Sequence, residues 1–424
     1  MNTLLAKHYQ QNINERIQWV NKKKVSFLLV TIILIVFLAF SRWIPGGDNL
    51  NPTTSNRGYI EIFMSVLALG ASLFIWGSVP FFKGIRNSAF ISLFILGIWA
   101  LISSTWSESI LLATGKSATF LLMVFIAVAI AYTASQHQIP ISKPILVALL
   151  VLIFIQIINN KYIYHEFLPI RDIGGRARLV LGFDHPNLSA SYFSSAIIIS
   201  LNFYLIAPKI IDKLVFLLLS GILFVFVVLS NSRTDLISLC TCIVISFLSA
   251  IKSKHLKWII LLTLGIFLLL VVFLMLSGII DNFLISIFQK NPDLITLNGR
   301  TVLWSRALTQ AKSKIIMGIG YYSSRFLSIE DLNISWGTHL HNSFLEILMT
   351  TGLIGSLFSF GFITLSLYNA SVQKFQLSIT YLIYVMITSL TETRLFVPSI
   401  VMFITCLLVF QKQHAFSRTI HNGK

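Results

Sequence analysis

The sequence predicts an all-α integral membrane protein, a polytopic helical bundle with about twelve spans. Three observations carry this reading. Hydrophobic residues fill 56% of the 424 positions and charged residues only 11%. Mean hydropathy is +0.83. Apolar stretches close to the roughly 20 residues that cross a bilayer recur along the chain. A soluble domain could not hide so much apolar surface, so the helices must face lipid or one another. Residues 1–424 form one membrane domain, interrupted by two long polar loops at 159–188 and 281–342.

The first span, 25–40, follows about two dozen mostly polar residues ending in Asn21-Lys22-Lys23-Lys24, and reads as an uncleaved anchor. Further spans are expected at 60–79, 89–103, 117–134, 144–158 and 189–207. The second half adds 214–229, 236–251, 258–280, 344–367, 375–390 and 396–409. Cys240, Cys242 and Cys406 all lie in apolar segments. Residues two apart point about 200° apart on a helix, so Cys240 and Cys242 are packing residues and not a metal pair.

Lysines and arginines set the orientation. Alternate short loops receive Lys83 and Arg86, Lys143, Lys209 and Lys213, then Lys252, Lys254 and Lys257, and finally Lys374. That bias marks the cytoplasmic side and places both termini there. The net charge of +17 finds no basic soluble domain, which excludes a nucleic-acid partner. The two long loops fall outside, yet both are basic. Residues 159–188 hold Arg171, Arg176 and Arg178, and residues 281–342 hold Arg300, Arg306, Lys312 and Lys314. Long loops can translocate whatever their charge; an anionic ligand at the outer face is the functional alternative.

Within 281–342, "NGRTVLWSRALTQAKSK" places Val302, Leu303, Ala307 and Leu308 on one greasy helical face. This predicts a helix lying on the outer leaflet, with Trp304 at headgroup level. The loop returns to "HLHNSFLEILMTTGLIG", residues 339–355. Ser343 followed by Glu346 fits a capping box, so a helix is expected to start there. Its N-terminus suits an anion such as phosphate. His341 sits just ahead, and histidine is the side chain that exchanges a proton near neutral pH. Gly352 lies about 16 Å deeper along a regular helix. With Gly355 it would let another helix approach closely.

Bland alternatives stand beside each of these. His341 could be a polar residue of the interfacial belt, and His339 with His341 could bind metal, although no carboxylate cluster accompanies them at ligand spacing. Arg233 could simply pair with Asp235, and Arg394 with Glu392. Arg300 has no such nearby carboxylate before Asp293. "ATGKSA" at 113–118 lacks the first glycine of a nucleotide-binding loop, and no Asp-x-Asp pair exists to carry a nucleotide-sugar metal.

"HNSFLEILMTTGLIG" fits the pattern H-[NSQ]-x9-G-x2-[GTY] through His341, Asn342, Gly352 and Gly355. With "GFDHPN", "SNSRTDL" and "NGRTVLW" it resembles the bacterial O-antigen ligase and O-antigen or capsule polymerase superfamily, over roughly residues 175–360. The resemblance implies a metal-independent, inverting glycosyltransferase embedded in the bacterial inner membrane, with its active site facing the periplasm and no need of a cofactor. Its donor would be a glycan on undecaprenyl pyrophosphate, and its acceptor another glycan, or lipid A–core for a ligase. A flippase and a chain-length regulator would be its neighbours in the bilayer. Carried over residue by residue, Arg233 and Arg300 contact pyrophosphate, Arg178 and Asn187 assist in substrate binding, and His341 is catalytic, as base or as orienting group. Polymerase is the first reading and ligase the second. A sugar or lipid transporter, a different class, would need midplane polar residues and internal repeats.

Overall fold

The computed structural model describes residues 22–41, 63, 66–70, 87–172, 177–181, 185–251, 300–326 and 340–411. The first helix is α1 (Lys22–Phe40). It is followed by α2 (Ser88–Ser103), α3 (Ile110–Gln136), α4 (Ser142–Tyr164), the short strands β1 (Ile170–Asp172) and β2 (Ala177–Leu179), α5 (Pro186–Ile206), α6 (Ile210–Leu229) and α7 (Arg233–Ala250). The last are α8 (Arg300–Ala311), α9 (Ser343–Val372), α10 (Gln376–Ser389) and α11 (Ile400–Phe410).

Among the described residues, eight helices, α1 to α7 and α9, are long and apolar enough to cross a membrane; α10 and α11 are shorter apolar helices. All ten fall on expected spans. In hydrocarbon every backbone polar group must be satisfied within the segment, and a helix does that at any apolar sequence. The spans expected at 60–79 and 258–280 lie largely or wholly outside the described residues. The 159–188 loop contains a feature the sequence reading lacked, an antiparallel pairing of β1 with β2.

Small side chains bring the helices together. α5 buries Ser189, Ser191, Ser194 and Ser195 on its way through the centre of the bundle and packs against α4, α6, α7 and α10. α2 packs along α9, where the Ser92 hydroxyl donates to the Phe358 carbonyl at 2.7 Å. Trp99 of α2 lies in contact range of the position a Gly355 side chain would occupy. The tightest neighbour of that position is Thr351 of α9 itself, with Trp99 of α2 next at 3.4 Å.

Gly352 does something else. It divides α9 into two helices, with φ 70° and ψ −166° at the join; Phe344 and Phe360, on opposite sides of it, stack at 6.1 Å, so the second half doubles back beside the first. In a regular helix Leu353 N–H and Ile354 N–H would bond to Met349 and Thr350. Here residues 315–320 insert at the break. Leu353 donates to the Ile315 carbonyl at 2.9 Å, and Ile354 to that of Ile316 at 3.4 Å. The vacated Met349 and Thr350 carbonyls accept from Ile319 at 2.9 Å and Gly320 at 3.0 Å. The Thr351 carbonyl accepts from the Trp99 indole at 2.8 Å. Every group freed by the kink shown here has a new partner, which a broken helix inside a membrane bundle requires. The expected notch for a second helix is instead a socket for loop backbone. An added Cβ at Gly352 would sit 2.2 Å from the Ile316 carbonyl oxygen. Gly352→Ala should therefore cost at least the roughly 1–3 kcal/mol of a strained non-glycine backbone, and should lower the melting temperature of purified protein more than Gly355→Ala does. Equal melting would contradict the socket.

The greasy face of α8 is also used differently from the expectation. Leu303, Ala307 and Ala311 are buried against Leu340 and Met349, and the Trp304 indole donates to the Leu340 carbonyl at 2.7 Å. α8 is thus a bracket on the first half of α9 through Leu303, Ala307 and Ala311, while Leu308 of the same stripe stays exposed.

Candidate functional site

Five separate pieces of chain meet at one end of the bundle: β2, the start of α5, the start of α8, the residues before α9, and the link between α10 and α11. Their meeting point is Glu392. Its Oε1 accepts from Asn187 Nδ2 at 2.6 Å and from Arg300 Nη2 at 3.1 Å. Its Oε2 faces His341 Nδ1 at 3.4 Å. Arg300 Nη1 donates to the Thr391 carbonyl. Arg178 completes the chain through Nη2, which donates to Asn187 Oδ1 at 2.7 Å, while its Nε donates to the Ser230 carbonyl at 3.2 Å.

Local sequence explains each position. Pro186 occupies the first turn of α5, where its missing N–H costs nothing, and Asn187 follows with its side chain over the helix start. α9 is capped by Asn342, whose Oδ1 accepts from Phe344 and Leu345 N–H at 3.0 Å each. The cap is therefore one residue earlier than the expected Ser343, and with Leu345 three residues on no capping box forms. Ser343 Oγ donates to the Glu392 carbonyl at 3.1 Å and accepts from Arg394 and Leu395 N–H at 2.8 and 3.0 Å. Ser343 thus staples the α10–α11 link to the start of α9. Glu346, the other half of the expected box, accepts from the Ser324 hydroxyl and from Leu340 N–H at 3.4 Å. His341 itself has φ 51°, a left-handed conformation uncommon outside glycine, held by Leu340 on one side and the Asn342 cap on the other.

Beneath this layer lies a buried ion pair. Arg394 grips Asp235 with both amino groups, at 2.7 and 2.8 Å. Asp235 also accepts from the Tyr384 hydroxyl at 2.6 Å and from Ser232 Oγ at 2.7 Å. Arg394 Nη2 reaches the Asn187 carbonyl at 2.9 Å and so fixes the residue that feeds Glu392. The local pairings suggested by sequence, Arg233 with Asp235 and Arg394 with Glu392, are exchanged for long-range ones. Asp235 takes Arg394, and Glu392 takes Arg300. Arg233, the first residue of α7, is left exposed. It adjoins Thr234, whose Oγ1 accepts from Thr391 at 2.8 Å.

Burial pushes the Glu392 carboxyl pKa up. The hydrogen bond and charge of His341, then the charges of Arg300 and Arg394, outweigh it and hold the group well below the usual carboxylate range. Glu392 is therefore a carboxylate at neutral pH. Because its pKa is depressed by folding, its contribution to stability is complete above about pH 4.3, and is lost as pH falls towards the folded value.

Arg178, Asn187, Arg300 and His341 are thus brought together, with Arg233 at the margin. Gly352 and Gly355 stand apart as helix geometry. Sequence reading placed Glu392 and Asp235 at this face but gave neither a role in the site. The available signal was "TETRLF", an acid and a base kept between two apolar helices. Among the described residues Arg300 is the cation bonded to the Glu392 carboxylate, and Arg178 reaches it through Asn187; guanidinium groups gathered in this way suit an anionic ligand. The Arg300 Nε–H is buried without an acceptor among the described residues. Among the described residues no three His, Cys, Asp or Glu side chains converge as a metal site.

Residues 216–360 match the sequence family described as O-Antigen ligase. The match takes in Arg233, Arg300, His341, Gly352 and Gly355, and stops short of Arg178, Asn187 and Glu392. A separate similarity links the chain to the Exopolysaccharide production protein ExoQ of Rhizobium meliloti (strain 1021), 35% identical over 69 residues. That alignment spans 14% of this chain and 16% of the relative. The family resemblance carried by the motifs is thus borne out over residues 216–360, the part of this multi-pass membrane protein that bears the O-antigen ligase family's pattern.

Proposed function

We propose that this protein is a polymerase of a cell-surface polysaccharide, transferring a glycan from an undecaprenyl-pyrophosphate donor to a sugar hydroxyl at the outer face of the inner membrane. The observation that carries the reading is the state of Arg300. Its guanidinium is held by one carboxylate oxygen and one carbonyl, beside His341, with a buried Nε–H still lacking an acceptor among the described residues. A fixed cation with unused donors next to an imidazole suits a pyrophosphate leaving group beside a proton acceptor.

In the proposed step the acceptor hydroxyl oxygen bonds to the anomeric carbon of the donor glycan. The bond from that carbon to the pyrophosphate oxygen breaks on the opposite face, which inverts the centre. The hydroxyl proton passes to His341, and the electron pair leaves with undecaprenyl pyrophosphate, whose added charge Arg233 and Arg300 stabilise. Glu392 facing Nδ1 favours the tautomer with its proton there and the accepting lone pair on Nε2. As His341 becomes imidazolium, the same carboxylate stabilises it. Arg178 and Asn187 hold Glu392 in place and line the donor side. The donor is already activated, so the step calls on no metal and no nucleotide.

Arginine binds paired oxygens through a planar fork that lysine lacks. Arg300→Lys should therefore lose most of the transfer rate although the charge is kept, and donor affinity should fall with it. Well-expressed Arg300→Lys with wild-type affinity would remove this residue from the pyrophosphate site.

The ligase reading shares the donor and the site, and the description of the matched family favours it. The role in exopolysaccharide production named for the relative favours polymerisation. Deleting the gene and resolving surface glycan on a gel separates them. A single repeat unit on the acceptor marks a lost polymerase; full-length chains stranded on carrier lipid mark a lost ligase.

A further inference from the structure

Residues 312–317 join α8 to the segment that plugs the Gly352 break. Lys312 and Lys314 form a single exposed 3-10 turn. Immediately after them, in a polar connecting loop, come three exposed apolar side chains: Ile315 at 41%, Ile316 at 61% and Met317 at 47%. Water is a poor solvent for such a cluster, and the bulk of the site-end loop offers it no cover among the described residues.

Its surroundings identify what covers it. Ile315 and Ile316 are bonded through their carbonyls to Leu353 and Ile354 of α9. From there the exposed residues Leu353, Leu357 and Phe360 run down one face of α9, at the spacing of a helical stripe. α9 is long and apolar enough to cross a membrane, an exposed apolar stripe on such a helix suits acyl chains, and the apolar trio continues it. Trp99 and Trp106 bond to Thr351 and Gly318 on either side of the break. Both lie near the end of α2, at the level where tryptophans mark the membrane boundary.

We propose that residues 312–317 are a membrane-embedded hook, with Ile315, Ile316 and Met317 inserted among the acyl chains of the leaflet on the site side and Lys312 and Lys314 bound to the phosphates of anionic lipids. The charges and the grease are in the order that such an insertion needs. Lysines end at the boundary and the apolar residues begin there. α8 runs about 18 Å from this hook to Arg300, so the hook also references the Arg300 end of α8 to the bilayer surface. The inference concerns the bilayer and stands whatever reaction the site performs.

Spin labels test it directly. Cys240 is the exposed free cysteine, while Cys242 and Cys406 are buried; Cys240→Ser therefore provides the background. Labels at Ile316→Cys and, as a lipid-facing control, at Leu357→Cys are compared in vesicles of phosphatidylethanolamine and phosphatidylglycerol. Ile316 is expected to collide with oxygen and to be shielded from an aqueous nickel chelate, as Leu357 is. Strong nickel collision would put the hook in water, and shielding from both probes would mean that protein covers it; either overturns the proposal. In a second arm, replacing phosphatidylcholine by phosphatidylglycerol in nanodiscs should raise the melting temperature of the wild type. The Lys312→Gln/Lys314→Gln double variant should lose most of that rise, since each juxtamembrane lysine is worth about fivefold in affinity for an anionic surface. An equal rise in both proteins would contradict the lysine contacts. The same rise with inorganic phosphate alone would replace the lipid surface by a soluble anion site.

Discussion

Replacing His341 with alanine should cut glycan transfer by about 10²–10⁴-fold, the usual worth of general acid–base assistance. Folding should survive. The residues that fix the helix start are Asn342, through its cap, and Ser343, through its bonds to the α10–α11 link; the imidazole supplies neither. Donor binding should also survive, because the pyrophosphate is assigned to Arg233 and Arg300. A transfer assay at matched protein levels, paired with a donor-binding measurement, separates the outcomes. Near-normal turnover would reduce His341 to an interfacial belt residue. Collapse of donor affinity with no separate loss of rate would move it to the phosphate-binding group. Glu392→Gln should also slow transfer, because the imidazolium formed in the step then lacks its carboxylate partner.

Arg394→Ala should damage the protein itself. The side chain is 2% exposed and its Asp235 partner 0%. Removing the guanidinium leaves a buried carboxylate with only Tyr384 and Ser232 to answer it. Breaking such a pair from one side typically costs about 3–5 kcal/mol, a large part of the stability of an ordinary fold. Yield and melting temperature in detergent should fall sharply, well beyond anything seen for Arg233→Ala, whose side chain is exposed. Asp235→Asn combined with Arg394→Met should recover part of the loss, since it removes both charges together. Wild-type melting of Arg394→Ala would show that the pair does not hold the α7, α10 and α5 ends in register.

The helices were legible because span length and apolarity are local properties: 110–136 or 210–229 declares itself within its own residues. The start of α9 was legible to within one residue. Asn342 and Ser343 are both competent caps, and the choice between them rests on backbone conformation, extended at Asn342 with φ −155°, which spacing does not reveal. The motifs brought His341, Arg300 and Asn187 to notice, but the residue that joins them lies 92 positions beyond Arg300. Ion pairs exchanged between distant segments leave no trace in local sequence, so Arg394 and Glu392 looked like each other's partners. Gly352 is legible as a glycine and illegible as a break, because helix packing and a left-handed kink ask for the same residue.

The central claim is that this chain, with its own Arg300–Glu392–His341 cluster, transfers a glycan off a lipid pyrophosphate. The direct test is purified protein in vesicles, given undecaprenyl-pyrophosphate-linked repeat units and excess chelator, with no other protein present. The account predicts longer lipid-linked glycan, release of undecaprenyl pyrophosphate in step with each new linkage, and inverted configuration at the joined anomeric carbon. Folded protein that leaves the donor unchanged, or moves it across the bilayer without joining units, would contradict it.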